Sequence, residues 1–466
     1  MARQYILAPR RLKANGEAFF SVNWQNFDFA KWEIFGAIIR DVNYFATTTL
    51  YFLDYLPPPV LLPIKFLSKD EEVCMRSSDN GIARAVIVTF LMSLVAVVTN
   101  VTDAAASSYY VATNGSDNNS CGAAQDPNTP KRNIMGTSGA IGCLQTARDQ
   151  ILIREGTYEE SINNYTEPYP LPSGTGWNNA FTVAAYPGEN VVIRSIAIGT
   201  DDNIGLNLSY WIFDGLHVVN NIPGGGQAIW MRSPDHLRFI NMEVTTGGRA
   251  NIPGTSDQCV QGGGTFIEFV NVEVHDCGDP TVGPQSGAGL AAYGFYWTGS
   301  DSLFDHIKLH DTTGFGFHVY SENCDAVGNC PDRNTIRDSE IDNTGTLQGS
   351  SAILFAYGEG NQAYGNTITN NSSGIAVGWG TSNTQIYDNT IRSNAYNGIS
   401  VGAGWGNRPD SNTLIQNNTI SDNGGYGIQN SAAGTPQDEP IGTVIQNNSL
   451  SNNGNGILDT GVGTMR

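Results

Sequence analysis

From residue 213 onward one short phrase recurs: an apolar residue, two or three polar ones, another apolar residue, then Asn or Gly. It reads FDGLHV, FINMEV, FVNVEV, FDHIKL, IRDSEI, AYGNTI, IYDNTI, IQNNTI and IQNNSL. The closing apolar positions are Val218, Val244, Val274, Leu309, Ile341, Ile368, Ile391, Ile420 and Leu450, spaced by 26, 30, 35, 32, 27, 23, 29 and 30 residues. A second phrase, Gly followed by an apolar residue, comes after it in many units: GFYW at 294, GFHV at 316, GIAV at 374, GISV at 398 and GIQN at 427. A period of about 20–50 residues is the signature of stacked repeats. Each unit holds short β-type runs between Asn/Gly turns and no helix-length amphipathic stretch. Variable spacing fits stacking, because insertions enter at turns without disturbing neighbours. A propeller would need a steadier period and a Trp-Asp phrase. The expected fold is all-β: a right-handed parallel β-helix, a single-stranded solenoid of three short strands per coil.

The phrasing NNTI-x-x-N-x-x-GI resembles the right-handed β-helix repeats of secreted polysaccharide lyases, hydrolases and related surface proteins. YYVATNGSDNNSCG at 109–122 and REGTYEESI at 154–162 resemble the N-terminal cap of bacterial β-helix proteins. The resemblance covers roughly residues 107–466 and implies a fold more than an activity, since this repeat serves many functions. Sharper signatures depart. The polygalacturonase set is absent as a set, as are the pectate lyase W-x-D-H and R-x-P-x-x-R phrases. Tyr293-Gly294 runs into FYWTG rather than toward the D-P-H phrase of mannuronan epimerases.

Upstream, AVIVTFLMSLVAVVT at 85–99 follows Arg76 and Arg84 and precedes Ala104-Ala105-Ala106. Basic flank, apolar run and A-x-A site together read as a secretory signal peptide cleaved before Ser107. Met75 supplies a start, so 75–106 is the expected signal peptide and 1–74 an over-extended or disordered N-terminal segment. A genuine extension with a membrane anchor is the alternative, although the run is short for a span. An N-terminal cap with first strands is expected at 107–165 and the repeat domain at 166–466. Six of the seven cysteines lie after residue 106, and an even number suits an oxidising compartment. Their clustering suggests the pairs 121–143, 259–277 and 324–330. The expected location is secreted, extracellular or periplasmic, with no membrane contact after signal cleavage.

Net charge is −20, and all of it resides in residues 107–466, with 14 basic against 34 acidic side chains. Such a body repels phosphate backbones, which excludes nucleic acid as the natural partner. It also repels a polyanionic glycan unless a local basic patch or Ca2+ offsets the field. No motif demands a cofactor, so Ca2+ stands only as a possible aid.

Equivalent residues of neighbouring coils stack about 4.8 Å apart, and side chains alternate in and out. With Val218 and its equivalents inward, the preceding positions form an outward column: His217, Glu243, Glu273, Lys308, Glu340, then Thr or Ser. The following positions form another: Val219, Thr245, His275, His310, Asp342, Thr369, Arg392, Ser421, Ser451. Ionisable groups therefore gather on coils two to five. Outward positions of the second phrase include Trp230, Arg232, Tyr296, His318 and Tyr320. The same coils carry the longest turn insertions, and long loops around one patch mark function.

Aromatic planes beside polar groups suit sugar rings. The expected partner is thus a polysaccharide, bound by a monomer, with Trp230, Arg232, Tyr296, His318, Tyr320, Asp342 and Glu243 as contacts. A lyase would use His275, His310 or Lys308 as the base and Arg232 or Lys308 to neutralise a uronate carboxylate. A hydrolase would use Glu273 and Glu340, about 9.6 Å apart across two coils by the strand spacing. Elimination is preferred on the His, Lys and Arg content and on the resemblance. Two alternatives stay open. One is a non-catalytic glycan-binding or adhesion solenoid. The other is an inert structural exoprotein, in which Glu273, Lys308 and Glu340 form only a salt ladder. His306 reads as a turn residue, and Asn389, Asn418 and Asn448 as a coil-to-coil hydrogen-bonding ladder.

Overall fold

The computed structural model describes residues 106–466, apart from 165–170, 200–207, 250–257, 282–290, 322–323, 325–329, 347–349, 403–407 and 434–435. The expectations for residues 1–74 and for the signal peptide lie outside the described residues.

Among the described residues thirty-one strands stack in parallel into three sheets, with Val191–Gly199 and Ile229–Ile240 each running on from one sheet into the next. The first sheet runs from Ser108–Val111 to Val444–Gln446. The second holds Leu216–Val219, Glu243–Thr245, Glu273–Cys277, Lys308–Thr312 and Glu340–Thr344, and ends at Ser449–Ser451. The third includes Phe295–Trp297, Phe317–Tyr320, Ser351–Ala356 and Ser373–Gly378, and ends at Asn455–Asp459. The register is the one the repeat implies: Val218 pairs Val244, which pairs Val274, then Leu309, Ile341, Ile368, Ile391, Ile420 and Leu450. Two further turns of the solenoid precede Val218, through Tyr158 and Ile193.

One residue makes the corner between first and second sheets. It is Gly215, Asn241, Asn271, His306, Asp338, Gly365, Asp388, Asn417 or Asn447, and every one has positive φ. Gly, Asn and Asp enter this left-handed region at least cost, which is why the chain is rich in them. His306 occupies that corner, as its place in the phrase implied.

The core changes along the axis. In the early coils, Phe213, Phe239, Phe269 and Phe304 stack at centroid separations of 5.1, 4.6 and 5.5 Å. Later coils carry Ile336, Ala363, Ile386, Ile415 and Ile445 there. The residue after the corner shows the reverse trade. Met242, Val272 and Ile307 are apolar and buried, whereas Asn366, Asn389 and Asn418 form a buried ladder that ends at the half-buried Asn448. Each Nδ2 donates to the next Oδ1 at 3.0, 3.0 and 2.9 Å.

Disulfides join Cys121 to Cys143, Cys259 to Cys277 and Cys324 to Cys330, the pairs their clustering suggests. The second ties the end of a second-sheet strand to the start of a third-sheet strand. Among the described residues no helix is long and apolar enough to cross a membrane.

Candidate functional site

The charged candidates stand on the outer face of the second sheet. Glu243 pairs in register with His217 and Glu273, Glu273 with Lys308, and Lys308 with Glu340; His275 pairs with His310, and His310 with Asp342. The ionisable side chains knit into a ladder. Glu243 takes His217 Nδ1 at 2.6 Å and His275 Nε2 at 3.0 Å. Glu273 Oε1 takes Lys308 Nζ at 2.5 Å and His310 Nε2 at 3.0 Å. The next residue in sequence holds each imidazole from behind: His275 Nδ1 lies 2.8 Å from Asp276, and His310 Nδ1 2.7 Å from Asp311. The two rings lie nearly parallel at 5.2 Å. Asp342 accepts from Thr369 Oγ1 at 2.8 Å and Asn370 Nδ2 at 2.9 Å. Glu340 is exposed beside Lys308.

An imidazole between two carboxylates must donate from both nitrogens, which favours the protonated ring. Burial works against protonation of His275, but its bonds to Asp276 and Glu243 outweigh it and its pKa is raised. Lys308 and then His310 hold the Glu273 carboxyl down at about 2, and Glu273 in turn raises Lys308. Because the folded pKa of His275 is raised, its stabilisation is fully present below the unfolded value of about 6.5 and lost as pH rises through the folded value. The melting temperature of His275→Gln is therefore expected to fall furthest below wild type near pH 5–6 and to converge on it at pH 9. A gap that widened with pH would contradict this assignment.

The aromatic candidates stand on the outer face of the third sheet. Tyr296 pairs in register with His318, and His318 with Leu354. Tyr293 stacks on Tyr296 at 5.8 Å, Phe315 on His318 at 4.6 Å, and His318 on Tyr320 at 4.9 Å. Tyr320 then meets Tyr357 at 5.5 Å and Trp379 at 6.5 Å, with the Arg408 guanidinium 5.7 Å from the Tyr357 ring. These rings cover Leu354, Ala356 and Ala376, which point outward and are nevertheless buried. Trp230 lies on this sheet in register with Ala197 and Gln261, and Arg232 is exposed beside Gly263.

Tyr293, Phe315, Tyr357 and Trp379 were not among the sequence candidates. Alternation from the buried Phe355 and Val377 sends Tyr357 and Trp379 inward. Both adopt positive φ, 68° and 60°, and join the outer cluster instead. Such a conformation is rare for a bulky residue, and strain of this kind gathers at functional sites. The readable signal was an aromatic between small residues, A-Y-G at 356–358 and G-W-G at 378–380.

Residues 258–465 match the family model described as a right handed beta helix region. The chain is a right-handed parallel β-helix. No curated protein matches it. Among solved structures it is similar to a pectate lyase, at 18% identity over 78% of this chain and 79% of that one, with a TM-score of 0.47. It is similar to the A-module of a mannuronan C-5 epimerase of Azotobacter vinelandii, at 15% identity over 68% and 90%, with a TM-score of 0.39. A lacto-N-biosidase of Eubacterium ramulus gives 11% identity over 80% and 71%, with a TM-score of 0.39.

Among the described residues no group of three or more His, Cys, Asp or Glu is arranged to hold a metal ion.

Proposed function

We propose that this β-helix is a secreted, monomeric, carbohydrate-active protein that binds an extracellular polysaccharide and cleaves it, by elimination in preference to hydrolysis. The observation that carries the reading is the aromatic wall on the third sheet. Rings from four successive coils, Tyr296, His318, Tyr320, Tyr357 and Trp379 among them, line one outer face. Sugar rings stack their apolar faces on such planes while hydroxyls take polar partners. Three disulfides and the signal-like segment support secretion.

In elimination a base takes the C5 proton of a uronic acid and a cation neutralises the neighbouring carboxylate. Lys308, kept positive by Glu273, suits the neutralising role, with Arg232 as a second cation. His275 and His310 are the base candidates on this face. Hydrolysis fits less well, because a Glu273 carboxyl held at about 2 cannot serve as the acid. It would need Glu340 as acid and Glu273 as base. A second reading, a non-catalytic glycan-binding or adhesion solenoid, draws support from the closed ladder. Both nitrogens of His275 and of His310 already meet carboxylates.

The test is incubation of the purified protein with acidic and neutral polysaccharides, with and without Ca2+. Unsaturated-uronate absorbance and reducing ends are followed together. Both are expected to rise on an acidic glycan, with Lys308→Ala lowering the rate by about 100-fold, the size of a lost electrostatic contact. Reducing ends alone would mean hydrolysis. Binding without either signal would mean the non-catalytic reading, and neither binding nor cleavage would sink the carbohydrate assignment.

A further inference from the structure

We infer that His318 is the proton acceptor of the glycan site, placed among the rings of the third sheet to take the C5 proton of a uronic acid. The inference rests on the carbohydrate reading above and names a reacting group that differs from those on the second sheet.

Among the six histidines the contrast is plain. His217, His236, His275, His306 and His310 each lie within 3.0 Å of a carboxylate. His318 meets none among the described residues. Its neighbours are rings. Phe315 and Tyr320 lie nearly parallel to it, at interplanar angles of 16° and 23°. Tyr293 and Tyr296 stand nearly perpendicular, at 5.2 and 5.1 Å. Nδ1 is buried and has no hydrogen-bond partner among the described residues. Among the described residues the rings that face the imidazole are three phenols and one phenyl, and burial pushes its pKa down to about 4.

A base needs a lone pair at working pH. His275 and His310 of the second sheet spend both nitrogens on carboxylates, whereas His318 has no carboxylate beside it among the described residues and burial disfavours its cation. With Nδ1 buried among the rings, Nε2 is the nitrogen left to meet a ligand. Substrate completes the arrangement. The carboxylate of a seated uronate favours the imidazolium, so basicity rises in the complex toward the range where proton transfer is efficient.

The step balances without a further reactant. Nε2 takes the C5 proton, the C5–H electron pair becomes the C4=C5 bond, and the C4–O bond breaks. The departing oxygen keeps the C4–O bonding pair and takes a proton from water, while the imidazolium returns its proton to solvent. One chain end is unsaturated and the other is a reducing end.

His318→Phe keeps a ring in the aromatic cage and removes both nitrogens. On the acidic polysaccharide that the wild-type protein cuts, kcat is expected to fall about 100-fold or more, the usual size of a lost general base. Glycan affinity should hold within about threefold and the melting temperature should be unchanged. His318→Ala should regain activity with added imidazole, and His306→Asn, in an exposed corner, should match wild type. Wild-type kcat/KM should be level from pH 5 to 8 and fall as the free imidazole protonates near 4. His318→Phe with kcat within threefold of wild type would overturn this inference alone. A wild-type protein that cuts no acidic polysaccharide would overturn the elimination reading and this inference with it.

Discussion

Phe269→Ala is expected to cost about 3–5 kcal/mol. Phe269 is fully buried, stacked between Phe239 at 4.6 Å and Phe304 at 5.5 Å, with the edges of Phe295 and Trp297 against it at 5.3 and 6.0 Å. Its neighbours are strands held in register on both sides, so they cannot collapse into the space that the ring leaves. Lost transfer energy and an unfilled cavity therefore add. Phe269→Leu should cost much less, since it keeps most of the apolar volume. Denaturant unfolding of both variants checks this; a Phe269→Ala loss below about 1.5 kcal/mol would mean that the coils repack. In a solenoid each coil touches only its neighbours, so hydrogen exchange should rise first in the coils through Phe239, Phe269 and Phe304.

Asn418→Ala is expected to cost about 3 kcal/mol by a different mechanism. The Asn418 side chain accepts from the Asn389 backbone N–H and Nδ2 at 3.0 Å each. Its Nδ2 donates to the Ile386 carbonyl and to Asn448 Oδ1 at 2.9 Å. Truncation leaves the Asn389 N–H buried without its partner, an orphan that costs about 1–3 kcal/mol, and breaks the Nδ2 bonds to Ile386 and Asn448 as well. Asn418→Asp tests the direction of the ladder. It keeps the acceptor but turns a negative oxygen toward the Ile386 carbonyl and Asn448 Oδ1, so it should be worse than Ala at neutral pH. Equal losses for the two variants would show that volume, rather than donor–acceptor order, carries the position.

The charged ladder was legible because it depends on register, and register follows from one inward residue per coil. Once Val244, Val274, Leu309 and Ile341 are aligned, Glu243, Glu273, Lys308 and Glu340 stack by the two-residue period of a strand. What the sequence concealed was how tightly these groups engage one another. Adjacent His275-Asp276 and His310-Asp311 pairs were visible as dipeptides. That Asp reaches back to Nδ1 follows only from the positive φ of Asp276 and Asp311, at 50° and 55°. The aromatic wall was half legible. Tyr296, His318 and Tyr320 obey strand alternation, but Tyr357 and Trp379 break it through left-handed backbone.

The sequence by itself determined the parallel coil, its register and the Asn ladder, and its cysteine clustering suggested the disulfide pairs without fixing them. Each is a local rule repeated: a strand period, a corner that Gly, Asn or Asp tolerates best, an apolar residue at fixed phase. Tertiary structure decided which ionisable groups are engaged and which rings share a surface. Those outcomes depend on side chains from coils 20 to 40 residues apart and on backbone turns that reverse the alternation. Among the six histidines, five are held by carboxylates, some from the next residue and some from the next coil, whereas His318 is enclosed by rings from its own coil and from the coil before it.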